Sequence, residues 1–392
     1  MSLRLSGSPN FVSLQMIEEQ TPFLPSVYLA DDIWHEVFRL LYAEVGNHLR
    51  NCLTVNSQFF RNAVPFFWKE VQILYFEQLQ NFVNVLTLQN QTLPYANYIR
   101  NLHIIARTNR IPSKSRSFDL ASLLLKLASI DASWRLISFT LELDWRDCHE
   151  SLTSIDYFAK FGDSLEQVEL HGSSPFLSDA FSFSIGQYCS NIKKLTLESR
   201  YFHGYGIRNI TERCALTELT IWCRQVTSTT VISIIQGICA NTLQVLMIKN
   251  CDLDDKTLLK AVDSLRNEKI NGYNIPLLPK LKSFSYVQSC TFNSGNKFTS
   301  VGLIRLLDSF PNLTDLTIIT SNLSLIVNDA TIKNMIHKLE KLEDINIRNP
   351  YNDQLPFHHL DNFDLTLEGL TAAVAKRPQV RLRVGVFDSM VS

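Results

Sequence analysis

The sequence lacks every local signature of catalysis. Its 392 residues contain no Gly-x-Ser-x-Gly elbow, no His-Glu-x-x-His pair, no Walker loop and no Gly-x-Gly-x-x-Gly turn after a strand, so an enzymatic function has no residue set to rest on. Close cysteine pairs are missing too. The nearest two, Cys214 and Cys223, have no partners at zinc-binding spacing, so no metal and no cofactor are expected. An excess of one charge is absent: 37 basic against 38 acidic residues give a net charge of -1, which implies neither nucleic acid nor an anionic membrane as partner. No apolar run approaches the ~18 residues needed to span a bilayer. The opening stretch MSLRLSGSPNF holds no apolar core of signal-peptide length, so the expected location is intracellular, cytoplasmic and/or nuclear. In that compartment the eight cysteines are expected to stay reduced.

What the sequence has in abundance is one spacing of leucines and their equivalents. In TLQVLMIKNCDL they fall at Leu243, Leu246, Ile248, Cys251 and Leu253, the LxxLxLxxCxL template of a leucine-rich repeat. The leading triad recurs at Leu165/Val168/Leu170, Ile192/Leu195/Leu197, Leu216/Leu219/Ile221, Leu281/Phe284/Tyr286, Leu313/Leu316/Ile318 and Leu342/Ile345/Ile347. Two looser copies precede these, Ile99/Leu102/Ile104 and Leu136/Phe139/Leu141. Nine copies in phase, their first positions 24 to 38 residues apart, define an array rather than a coincidence.

The last two apolar residues of each triad are two apart, so they share one side of a short strand and the residue between them faces outward. Between the strands run helical segments such as 227–241, where Val231, Ile234, Ile235 and Ile238 form an apolar stripe. Neither element buries its face alone; stacked units do so for one another. The predicted fold is α/β: an N-terminal three-helix module followed by a curved solenoid with parallel strands on the concave face and helices on the convex one. Cys189 and Cys239, each just before a repeat strand, read as core.

The expected divisions are a disordered leader over 1–26, a helical module over 27–70, an irregular linker with the first weak repeats over 71–135, and the solenoid with its C-terminal cap over 136–392. The basic stretch 108–117 reads as a solvated loop. Insertions are expected at 267–280, 289–298 and 349–364. His358, His359 and Asp361 lie in the last of these, and adjacent strand residues diverge, so loop is preferred to metal site.

In the helical module, Asp31 or Asp32 is expected to cap a helix carrying Ile33, Val37, Leu40 and Leu41, and Pro65 to stop a later one. The residues Leu29, Asp32, Ile33, Val37, Phe38 and Leu41, then Leu49, Cys52, Leu53, Val55 and Asn56, then Phe67 and Trp68 resemble the F-box pattern. Ala30 stands where that family has proline, and Phe59 or Phe60 where it has tryptophan. The resemblance implies a Skp-family adaptor as partner and, through it, a cullin. It implies adaptor contacts from Leu29, Ala30, Ile33, Val37, Leu41, Leu53, Val55, Phe59 and Trp68. The chain would then be the non-catalytic substrate receptor of a ubiquitin ligase, its repeats holding an unknown protein substrate. The alternative is a leucine-rich-repeat scaffold or inhibitor that binds a protein without a ligase.

Outward strand positions should align as columns about 4.8 Å apart between strands. One column reads His171, Glu198, Trp222, Lys249, Val287, Ile319 and Arg348; the next contains Glu169 and Met247. These nine residues are the candidate substrate surface, with Trp222, Met247, Val287 and Ile319 as an apolar patch rimmed by charge. Trp222 is expected either to contact the substrate or to be covered by a loop such as 289–298.

Overall fold

The computed structural model describes residues 3–4, 30–44, 49, 51–88, 94–107, 120–130, 134–143, 155–172, 177–199, 201–202, 204–222, 228–249, 253–267, 277–288, 298–320, 326–348 and 365–384. Leu29, Cys223, Cys251, the loop 108–117, most of the three insertions, and His358, His359 and Asp361 lie outside them. The chain divides into two compact units, residues 1–142 and 143–392.

The first unit opens with β1 (Leu3–Arg4), the two described residues of the leader, which pair in parallel with Val71 and Gln72. Helix α1 (Asp31–Glu44) follows, then α2 (Ser57–Phe67). The N–H groups of Ile33 and Trp34 donate to the Ala30 carbonyl, so the helix starts on Asp31 and Ala30 takes the cap position that the sequence assigned to an aspartate. Asn56 caps α2 by accepting from the Phe59 N–H at 2.8 Å. Pro65 does not stop α2; the helix runs through it to Phe67. A proline there forfeits one backbone bond, and the aromatic packing of Phe66 and Phe67 against the module's core holds the last turn in place.

Three strands complete this unit: β2 (Glu70–Tyr75), β3 (Asn101–Arg107) and β4 (Ser138–Leu143), with α3 (Phe76–Thr87) and α4 (Leu120–Ser129) between them. β2 is a repeat that straddles the expected boundary between the helical module and the irregular linker. Its register sets Val71 opposite Leu102 and Ile73 opposite Ile104, so Trp68, Val71 and Ile73 are a further copy of the triad with tryptophan in the first position. Trp68 stacks on Tyr95, ring centroids 4.8 Å apart, and on Phe82 at 6.2 Å. It belongs to the packing of the first repeat.

The second unit is a repeat solenoid. Its strands β5 (Gln167–Gly172), β6 (Lys194–Ser199), β7 (Glu218–Trp222), β8 (Val245–Lys249), β9 (Ser283–Gln288), β10 (Asp315–Thr320), β11 (Asp344–Arg348) and β12 (Arg381–Val384) pair in parallel in sequence order. A strand, a helical crossover and the next strand make one unit, the arrangement that parallel pairing requires. The spacing between units varies, yet their closure does not. One carbonyl per unit accepts two successive N–H groups of the next: Glu166 from Lys193 and Lys194, Lys193 from Thr217 and Glu218, Thr217 from Gln244 and Val245. Every residue of the seven leucine-type triads in this unit is exposed by 1% or less. At ~1.5–3 kcal/mol for each fully buried aliphatic side chain, this shared interior dominates the stability of the array.

Helices on the other side of the strands are locked by aspartates. Asp255 and Asp329 each open a helix, α9 (Asp255–Asn267) and α11 (Asp329–Lys338). Each accepts from the backbone N–H and hydroxyl of the threonine capping the next repeat's helix: Thr299 for Asp255, Thr366 for Asp329. A glycine follows three residues on, Gly302 and Gly369, where a Cβ would collide with the aspartate carboxylate. The guanidinium of Arg377 donates to the carbonyls of Ile336, Leu339, Glu340 and Leu342, closing the end of α11. Ile238 departs from the predicted stripe: Val231, Ile234 and Ile235 are buried, but α8 (Ser228–Gln236) ends before Gly237 and Ile238 turns outward. Gly237 sits so close to the Thr211 carbonyl that no Cβ fits, and the break follows from that approach. Cys189, Cys214 and Cys239 are free and buried, and burial pushes all three thiols well above their ordinary range.

Candidate interaction surfaces

The helical module of the first unit has a small core of Phe38, Leu49 and Ala63 ringed by Trp34, Leu41, Tyr42, Cys52, Leu53, Phe59, Phe66 and Phe67. Of the residues assigned to an adaptor, Leu41, Leu53 and Phe59 therefore pack inward. Phe59 lies against Trp34 and Phe38, at ring-centroid distances of 4.2 and 5.4 Å. Val37 is half-buried and Trp68 is spent on the first repeat. What remains on the outside is Ala30, with Ile33 (49% exposed) and Val55 (58%). Leu40, part of the helix stripe but not assigned a contact, is 50% exposed and joins them as apolar surface. A module of this size has too few residues to enclose its own apolar side chains, so large aliphatic residues stay in water.

On the second unit the outward columns form as the period-two alternation dictates. The pairing runs His171, Glu198, Trp222, Lys249, Val287, Ile319, Arg348 from β5 to β11, and Glu169, Thr196, Thr220, Met247, Ser285, Thr317, Asn346 beside it. Trp222 is 44% exposed. Met247, Val287 and Ile319 are half-buried by their neighbours on the sheet. The patch is not continuous: Lys249 stands between Trp222 and Val287 in the column. Arg348 is exposed and donates to the Asn346 carboxamide oxygen at 2.9 Å.

At the β5 end the column is an ionic row. His171 approaches Glu198 at 3.0 Å through Nδ1 and Glu169 at 3.4 Å through Nε2. The Gln167 carboxamide donates to Glu169 at 2.7 Å. Lys249 reaches Glu198 at 2.7 Å, although β7 lies between their strands. To do so it passes over Trp222, its ammonium 5.6 Å from the ring centroid. Hydrogen bonds that the imidazole donates to Glu169 and Glu198 raise His171 to about 9. The His171 hydrogen bond, with Lys249 beside it, lowers Glu198 to about 2 despite partial burial, which acts the other way. His171 and Glu198 are thus both charged at neutral pH. The sequence named every member but not their pairing, because Lys249 skips a strand and column order alone shows only adjacent neighbours.

Among the described residues no group of His, Cys, Asp and Glu could hold a metal, and no helix is long and apolar enough to cross a membrane. No protein-family model and no curated protein matches the chain. Among solved structures, a chain of the Rad7 and Elc1 complex from yeast aligns with 90% of this chain and 92% of its own length, at 14% identity and a TM-score of 0.38. So remote a likeness speaks for neither partner nor activity.

Proposed function

We propose that this protein is a non-catalytic substrate receptor of a Skp-cullin-F-box type ubiquitin ligase. The observation that carries the proposal is the exposed apolar surface of the helical module, Ile33, Leu40 and Val55, on a segment whose sequence resembles the F-box. Docking on a Skp-family adaptor would cover these three side chains, each contributing ~1.5–3 kcal/mol if fully buried. The open face of the second unit supports the other half of the reading, because an exposed tryptophan flanked by the Glu198–Lys249 ion pair suits a protein-binding hot spot. A receptor of this kind acts by raising the local concentration of substrate near the ubiquitin-carrying enzyme, and it needs no catalytic residue of its own. The direct test is capture from cells of the tagged full chain. Co-purification of adaptor and cullin supports the reading; capture of other proteins through the repeats with neither subunit present replaces it with a scaffold or inhibitor.

A further inference from the structure

Lys249 makes a short ion pair by reaching two strands away. Its nearest column neighbours are Trp222 on β7 and Val287 on β9, neither of them an acid. The side chain instead lies across the indole and ends on Glu198 Oε1 at 2.7 Å. The Glu198 carboxylate is held in place from the other side by His171 at 3.0 Å, and His171 in turn by Glu169. An aromatic face flanked by a fixed carboxylate is the arrangement that binds an alkylammonium or guanidinium group, through the ring quadrupole and the ion pair together. Here the chain supplies that cation itself. If Lys249 swings aside, the Glu198 carboxylate loses that pair and the place over Trp222 is left open beside it.

Resting on the reading that this face holds a protein, we propose that Trp222 and Glu198 form a recognition site for one lysine or arginine side chain of the partner, and that Lys249 fills it in the free chain. Charge complementarity favours a basic side chain over an acidic one. An incoming cation replaces Lys249 like for like and leaves each carboxylate paired. An incoming carboxylate would have to draw Lys249 from Glu198 and would itself sit beside that carboxylate. The exchange also sets specificity, because a neutral side chain gains the ring but costs Glu198 its pair with Lys249.

The test uses the full chain labelled with fluorotryptophan and read by fluorine NMR, the Trp222 signal identified by its absence in Trp222→Phe. The probe is a capped Gly-Arg-Gly peptide, with Gly-Glu-Gly and Gly-Leu-Gly as controls. In Lys249→Met, which keeps the apolar stem and removes the ammonium, the arginine peptide should shift the Trp222 signal saturably and bind about tenfold more tightly than to the natural chain. Adding Glu198→Gln should abolish that gain, while thermal melting shows that both variants remain folded. Equal binding to the natural chain and Lys249→Met, indifference to Glu198→Gln, or a response to the glutamate peptide instead would overturn the proposal. Adaptor capture does not involve these residues, and capture of protein partners by a Trp222→Ala chain reports separately on whether the face binds protein at all.

Discussion

Trp68 stacks on Tyr95 with ring centroids 4.8 Å apart, and this pairing transfers a residue with the F-box pattern to the first repeat of the array. Replacing Trp68 by Ala removes the first residue of the Trp68, Val71, Ile73 triad and leaves Tyr95 and Phe82 without their ring partner. Because Trp68 is only partly buried, the expected cost is ~2–3 kcal/mol, below that of a fully enclosed tryptophan. Denaturant unfolding measures it. A variant as stable as the natural chain would return Trp68 to the surface and to the adaptor.

The row His171–Glu198 makes stability depend on pH in a defined direction. The His171 value is raised, to about 9, so its contribution is complete below the ordinary histidine value and is lost as the pH rises through about 9. The Glu198 value is lowered, to about 2, so its contribution is complete above the ordinary carboxylate value and is lost as the pH falls through about 2. Both side chains keep contact with water, which limits the effect to roughly 1 kcal/mol. His171→Gln should therefore lower the melting temperature more at pH 6 than at pH 9.5. Equal losses at the two values would mean that the pairs do not form in solution.

The Asp329–Thr366–Gly369 clasp should behave as one unit. Asp329→Ala removes two hydrogen bonds at a helix start and should cost ~1–2 kcal/mol. Gly369→Ala places a methyl group where the carboxylate lies and should also destabilise. In the Asp329→Ala background the collision is gone, so the same glycine change should cost clearly less. Additive losses in the double variant, measured by urea unfolding, would show that the two residues do not meet.

Trp222 separates binding from folding. At 44% exposure its removal leaves most of the buried interior untouched, so Trp222→Ala should change the melting temperature little and lower affinity for a captured protein partner by ~2 kcal/mol or more. A large fall in melting temperature would instead place the indole under a loop and take it out of the binding face.

The array was legible in the sequence wherever burial dictated it. All nine triads are interior, and the alternation that buries Leu219 and Ile221 also points Trp222 outward, so the columns followed from register alone. The β2 copy was missed because a tryptophan fills its first position and an aromatic helix end runs directly into it. Pro65 misled because the cost of one lost backbone bond is smaller than what the packing of Phe66 and Phe67 returns. The outward turn of Ile238 depends on how closely Gly237 meets Thr211, and the reach of Lys249 to Glu198 on a side chain crossing a whole strand. Neither is encoded in local spacing.

The most direct measurement is binding of the purified full chain to a purified Skp-family adaptor, compared with the variant carrying both Ile33→Asp and Val55→Asp. Both positions are exposed, so the variant should melt like the natural chain. The natural chain should form a stable complex and the variant should lose several kcal/mol, since two apolar contacts become two desolvated charges. Absence of binding by the natural chain, or equal binding by the variant, would contradict the adaptor reading.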